Sequence, residues 1–352
     1  MSNPPQPPQR TEPGTLDVAA PPPRDSTAPE PLDGPAQEPF DLAVPQQRKR
    51  MLIIVNPYAS TVSDRLRHLV VYALQGRYEV EAVDTEAPGH ATELCRQAAH
   101  EGYDVVVAFG GDGTVNEAAN GLLGSATPLS CLPGGSANVF AKMLGIPGDL
   151  VEATEHMLGI ADDWRPRRVD LGVVDGRCFT FSSGLGIDAS VVARVDAKPR
   201  LKARFGPWYF TAAAVATLNR DYLVRPPRLT VEAQGRSYHG LTAVVQNGSP
   251  FTYFADRPIE IAEGPALDSG TFAAGVLHRV TPAAMPFISW RALSPRARVV
   301  DHRQVTGLTD LTEMTVSSAD GRPLPLQVDG DYLGEVAQAS YSIKPRALSV
   351  VA

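Results

Sequence analysis

A chain of 352 residues is long enough for two ordinary domains, and 43% hydrophobic with 20% charged residues it is globular rather than disordered overall. The formal charge of −7 excludes a broad basic grip on nucleic acid. Cys95, Cys131 and Cys178 stand far apart with no CxxC spacing, which speaks against a zinc site or disulfide framework and for a reducing compartment. No apolar run approaches the ~20 residues of a bilayer span, and the N-terminus lacks the order of a signal peptide. A cytoplasmic protein is expected.

Residues 1–47 hold 13 of the 32 prolines, with seven acidic residues against Arg10 and Arg24. This composition cannot bury enough apolar surface to offset the entropy of ordering, so residues 1–48 read as a disordered Pro-rich tail. Met51 to Val55 is a buried strand by length and β-branching, stopped at Asn56-Pro57. A helix is expected over 63–76, a strand over 78–83, a helix over 89–102 and an apolar strand over 104–109. This alternation predicts an α/β domain, a parallel sheet with flanking helices. From about Arg168 short alternating segments at 169–174, 177–181, 229–233, 237–245, 271–277, 313–317 and 324–328 predict a mainly-β sandwich. An Ala-rich stretch from Phe210 to Leu218 interrupts it as a helix.

Two glycine-rich turns carry the chemistry. Gly110-Gly111-Asp112-Gly113-Thr114-Val115-Asn116-Glu117 follows the third strand and opens a helix expected at Val115 to Leu123. Glycines there let backbone N–H groups reach phosphate oxygens, and a helix N-terminus adds its positive end. No Gly-Lys-Ser/Thr follows, so this is not a Walker A loop. Asp112 repels phosphate and suits contact with Mg²⁺, ribose or base. Pro133-Gly134-Gly135-Ser136-Ala137-Asn138 repeats the arrangement after a short strand over 128–132, so a polyphosphate could be held from both sides, with Ser136 donating its hydroxyl. Near the other end, Val328-Asp329-Gly330-Asp331 reads on its own as a hairpin turn, since Asp-Gly is a strong hairpin signal.

Taken together with Asn120-Gly121, Arg168-Val169-Asp170-Leu171-Gly172, Gly184-Leu185-Gly186-Ile187-Asp188 and Ala266-Leu267-Asp268-Ser269-Gly270, these motifs resemble the diacylglycerol kinase family. The match is to its bacterial soluble branch, related to sphingosine and ceramide kinases, and covers roughly residues 49–350. The resemblance implies an ATP-binding catalytic α/β domain over 49–166 and a β-sandwich lipid-substrate domain over 167–352. It implies ATP and Mg²⁺ as cofactors, a lipid acceptor at the membrane surface, transient membrane association and a product such as phosphatidic acid that feeds phospholipid synthesis. Asn56, Pro57, Ser60, Thr85, Gly110, Gly111, Asp112, Gly113, Thr114, Asn116, Glu117, Gly135, Ser136 and Asn138 would line the nucleotide site. Asp331 would be the general base with Asp329 alongside, and Asp112 and Asp268 would be metal ligands.

The chain departs from the family pattern in three places. Asp331 stands where Glu is common, Val139 follows Asn138 where an aspartate is common, and Ser269 precedes Gly270 where an aspartate marks a structural Mg²⁺ site. Arg194, Lys198, Arg200, Lys202 and Arg204 run into Phe205, Trp208, Tyr209 and Phe210, which reads equally as an interfacial anchor and as an ordinary helix. The rival readings are an NAD kinase, which shares the Gly-Gly-Asp-Gly-Thr loop, and a lipid- or nucleotide-binding regulator that has lost catalysis. The acceptor lipid is open, as is a homodimer.

Overall fold

The computed structural model describes residues 48–59, 62–198, 201, 209, 212–217, 220, 222, 226–254, 257–279, 281, 284–294 and 297–352. Four parallel strands, β1 (Lys49–Val55), β2 (Tyr78–Asp84), β3 (Val105–Gly110) and β4 (Leu129–Pro133), lie in the order β2-β1-β3-β4. Met51 to Val55 and Val105 to Gly110 are buried, as central strands covered on both faces require. Around them lie α1 (Asp64–Leu74), α2 (His90–Glu101), α3 (Asp112–Gly121), α4 (Val139–Met143) and α5 (Leu150–Ile160). Ser63 caps α1 by accepting from the Leu66 N–H, and Asp149 caps α5 by accepting from Val151 and Glu152.

The second half is built from β5 (Arg167–Val174), β6 (Arg177–Phe179), β7 (Ser182–Gly186), α6 (Ile187–Asp196), β8 (Leu229–Ala233), β9 (Arg236–Gly240) and β10 (Thr242–Gln246). It continues through β11 (Thr252–Phe254), β12 (Arg257–Ile259), β13 (Phe272–Leu277), α7 (Met285–Leu293), β14 (Val305–Leu311), β15 (Glu313–Ser318), β16 (Leu324–Val328), β17 (Asp331–Val336) and β18 (Gln338–Val350). One antiparallel sheet runs β14-β13-β10-β7-β16-β17. Leu185, Val245 and Leu326 on its inner face pack with Val231, Val316 and Tyr341 of β8, β15 and β18, making the expected sandwich.

The opposite sheet does not end at the domain boundary. β18 pairs with β15 and β5 and then meets β4 in parallel, Val350 opposite Leu129, so parallel and antiparallel strands form one ten-stranded sheet. The N-terminal α/β domain and the C-terminal β-sandwich are therefore knitted through shared strands.

Two details differ from the sequence reading. Helix α3 begins at Asp112 rather than Val115, because Gly111 is its N-cap and the glycine motif itself forms the first turn. The segment read as one strand over 237–245 is two, β9 and β10, broken at Leu241. The proline-rich tail up to Gln47, Ser60 and most of the basic-aromatic segment after Lys198 lie outside the described residues.

Candidate active site

The strand order reverses between β1 and β3, and open α/β sheets bind ligands at the C-terminal ends of strands at such a point. Asn56 follows β1 there, and the first glycine turn follows β3. Asn56 Nδ2 donates to Thr114 Oγ1 at 3.1 Å, while Asn56 Oδ1 accepts from the Tyr58 N–H at 3.0 Å. Pro57 is exposed beside it. Thr85 sits one strand further out, its N–H bonded to the Val55 carbonyl at 2.8 Å.

The two glycine turns touch backbone to backbone. A methyl group built on Gly135 would stand 2.7 Å from the Cα of Gly111, so only glycine permits this approach. The second turn closes on itself: Asn138 Oδ1 accepts from the Gly135 N–H at 2.9 Å and its Nδ2 donates to the Gly135 carbonyl at 2.8 Å. Ser136 is exposed at the tip. Asp112 Oδ1 accepts from the Val139 N–H at 2.7 Å, tying the first turn to the start of α4. Burial, reinforced by the nearby charge of Asp329, pushes the Asp112 carboxyl up to about 7 against the pull of backbone donors.

The Asp329-Gly330 pair is a hairpin turn between β16 and β17, with φ of 47° and 84° and Val328 opposite Asp331. The turn reading holds. Asp329 is buried, and its carboxylate takes five hydrogen bonds. Oδ2 accepts from Asn116 Nδ2, the Thr180 N–H and Thr180 Oγ1 at 2.7–2.8 Å; Oδ1 accepts from the Phe181 and Ser182 N–H groups at 3.0 Å. With its oxygens so occupied, Asp329 holds the turn in place. A methyl group built on Gly113 would stand 2.8 Å from Asp331 Oδ2, so this carboxylate from the β-sandwich lies against the first turn of α3. Negative charge is favoured at that helix end.

Two residues expected at the nucleotide have other partners. Asn116, one helical turn beyond Asp112, points across to the sandwich, where its Nδ2 donates to Asp329 and to the Cys178 carbonyl and its Oδ1 accepts from Arg177 Nη2. Glu117 faces α2 and accepts from the Gly89 and Ala91 N–H groups, supplying the cap that Gly89 lacks. Asp268 is exposed in the turn before β13. The buried carboxylate in that neighbourhood is Asp170, which accepts from the Gly270 N–H at 2.6 Å and the Arg346 N–H at 2.7 Å. Among the described residues, no group of three or more His, Cys, Asp or Glu forms a cage for a metal ion.

Thr180, Asp170 and Gln327 have no role in the sequence reading, although Asp170 stands in one of its motifs. Gln327 is buried; its Oε1 accepts from the Gly330 N–H and its Nε2 donates to Asp188 Oδ2 at 2.6 Å. Burial pushes Asp188 up to about 6 although Gln327 opposes it. A carboxyl held neutral by the fold stabilises it fully below pH ~4, and that contribution disappears as pH rises through about 6. Asp188→Asn keeps the oxygen that Gln327 bonds and removes the charge. It is therefore expected to raise stability at pH 8 by up to about 3 kcal/mol and to change little at pH ~4. Equal denaturant midpoints for the two proteins at pH 8 would refute it.

The fold and the site thus define a class: a protein whose α/β half carries two touching glycine turns, faced by a carboxylate turn from a β-sandwich. Residues 50–174 match the family model of the diacylglycerol kinase catalytic domain. It is 27% identical to a diacylglycerol kinase of Bacillus subtilis (strain 168) over 297 residues, 81% of this chain and 91% of that one. A diacylglycerol kinase of Staphylococcus aureus (strain Newman) is 27% identical over 293 residues, 82% and 88% of the two chains. In fold it is similar to a crystal structure from Bacillus anthracis str. Sterne, with TM-score 0.69, 21% identity and coverage of 89% and 98%. A diacylglycerol kinase structure from the same strain gives TM-score 0.64, 18% identity and coverage of 87% and 97%.

Proposed function

We propose that this protein is a lipid kinase that uses ATP and Mg²⁺ to phosphorylate the primary hydroxyl of diacylglycerol or a similar lipid, giving phosphatidic acid or the corresponding lipid phosphate. The observation that supports this reading best is that the Asp331 carboxylate, from the β-sandwich, lies against Gly113 of the glycine turn. The family match over 50–174 and the named relatives point the same way.

Phosphoryl transfer asks little covalent chemistry of the protein; it needs positioning and charge stabilisation. The N–H groups at the start of α3 and in the second glycine turn would hold phosphate oxygens. An alcohol is a weak nucleophile at neutral pH, so Asp331 takes its proton as the hydroxyl oxygen bonds to the γ-phosphorus and the bridge to the β-phosphate breaks. A divalent ion of this kind is commonly held by one or two carboxylates and the phosphates themselves, and Asp112 on the glycine turn is the residue that would hold it. When bound, Mg²⁺ would neutralise charge on the transferring group.

The test is transfer of radiolabelled phosphate from ATP to diacylglycerol, monoacylglycerol, ceramide and sphingosine in mixed micelles, with NAD as a soluble control. Labelled lipid supports the reading; label in NAD alone would replace it with an NAD kinase. In the same assay Gly135→Ala is expected to raise the KM for ATP by ~10-fold or more, because its methyl group forces the glycine turns apart and misplaces the phosphate donors. An unchanged KM would remove the second turn from the nucleotide site.

A further inference from the structure

Helix α7 is apolar on two sides. Ala284, just before it, and Ile288 are buried with Leu277, Val299 and Val305 in a small core of their own. Phe287 and Trp290, three residues apart on the helix, are 64% and 60% exposed. A helix hydrophobic all round is ordinarily a buried one; this one lies at the surface. Its flanks are basic. Residues 278–303 contain Arg279, Arg291, Arg296, Arg298 and Arg303 against the single acid Asp301, in a chain whose net charge is −7. Arg279, Arg298 and Arg303 are exposed. His278 and Gln304 are bonded backbone to backbone, so Arg279 and Arg303 stand opposite each other where the chain leaves for α7 and returns. Arg298 pairs with Glu263 and Arg291 with Asp301, but exposed pairs of this kind are weak and exchange readily.

The helix is also connected to the candidate active site. Ile187, the first residue of α6, is partly buried and packs against that small core. The next residue, Asp188, bonds Gln327, which holds the Asp329-Gly330 turn. At the other end of α6, Asp196 accepts from the N–H of Tyr332, the residue after Asp331. A ten-residue helix is about 15 Å long, so α6 runs about that far from Ile187 at the small core to Asp196 at Tyr332. Tyr332 and Leu333 are themselves partly exposed apolar side chains beside Asp331.

We propose that α7 is a bilayer-docking element. Phe287 and Trp290 enter the boundary between headgroups and acyl chains, and Arg279, Arg298 and Arg303 meet anionic headgroups. The proposal rests on the lipid-kinase reading above, since an acceptor dissolved in a bilayer must be met there. Basic charge on an otherwise acidic chain, combined with an exposed Trp and Phe, fits an anionic lipid surface.

The experiment is co-sedimentation of the full chain with vesicles of phosphatidylcholine alone and with phosphatidylserine added, using wild type, Phe287→Ser/Trp290→Ser and Arg279→Glu/Arg303→Glu. Wild type should bind the anionic vesicles more tightly. The aromatic double variant should lose ~10–100-fold in partitioning to both, and the charge variant should lose only the preference for phosphatidylserine. Turnover of a short-chain, dispersed diacylglycerol should be unchanged in both variants. Equal partitioning of wild type and the aromatic variant would overturn the proposal, as would loss of dispersed-substrate turnover along with binding, which would make α7 structural. Self-association of wild type without lipid, abolished by the aromatic substitutions, would assign the face to a second copy instead and also overturn it. Vesicle binding with this pattern but no transfer to any lipid would sink the kinase reading while upholding the docking helix.

Discussion

Asp331→Asn is expected to lower kcat for phosphoryl transfer by ~10²–10⁴-fold, the span general-base catalysis ordinarily supplies. The amide has the shape of the carboxylate and fills the same space against Gly113, so the glycine cradle is left intact. What it cannot do is take up a proton from an alcohol. The KM for ATP should therefore stay nearly constant while kcat falls, the signature of an interaction made only in the transition state. The measurement is steady-state transfer at saturating lipid over a series of ATP concentrations. A variant that keeps most of its kcat would place the proton acceptor elsewhere, with Asp112 the next carboxylate at the cradle.

Asp329→Ala should act on the fold as strongly as on turnover. Five donors converge on this carboxylate from α3, from Thr180 and from the backbone leading into β7. Removing it strands them in a buried site, and breaking a buried charged network of this kind costs about 3–5 kcal/mol. Asp329→Asn would do little better, because its amide nitrogen would face Asn116 or the Thr180 donors, or else Phe181 and Ser182. Chemical unfolding with an unchanged denaturant dependence should show the loss as a shifted midpoint. A shift worth under ~1 kcal/mol would mean that the donors find other acceptors or water, and that the turn does not depend on Asp329.

Central strands and glycine turns were legible because their determinants are local. Met51 to Val55 is apolar throughout and ends in the β-branched Ile53-Ile54-Val55, and the glycines stand where the chain leaves a strand for a helix. The partition of roles among polar residues was less so. Asn116 and Glu117 sit in the motif beside Asp112, yet helical periodicity turns them toward the sandwich and toward α2. Their identities suit phosphate or metal contact, and only the position of a distant turn and a neighbouring helix shows which groups they bond. Asp329 and Asp331 illustrate the same point: equal in chemistry and two residues apart, they part company because a two-residue hairpin sends one carboxylate into the sandwich and the other against Gly113. Strands β17 and β18 escaped the periodicity because one is a largely exposed edge and the other is broken by a register shift between Lys344 and Leu348.

The pairing of Val350 with Leu129 also bears on how the chain is made. The outer edge of β4 waits for a strand 221 residues further along, so during synthesis the first half emerges with a hydrophobic sheet edge that nothing yet covers. At ~5–20 residues per second that interval lasts tens of seconds. An uncovered edge is a template for pairing with another chain. The nascent protein therefore depends on its final strand to seal its first domain, and a ribosome stalled before residue 350 should release a species inclined to aggregate.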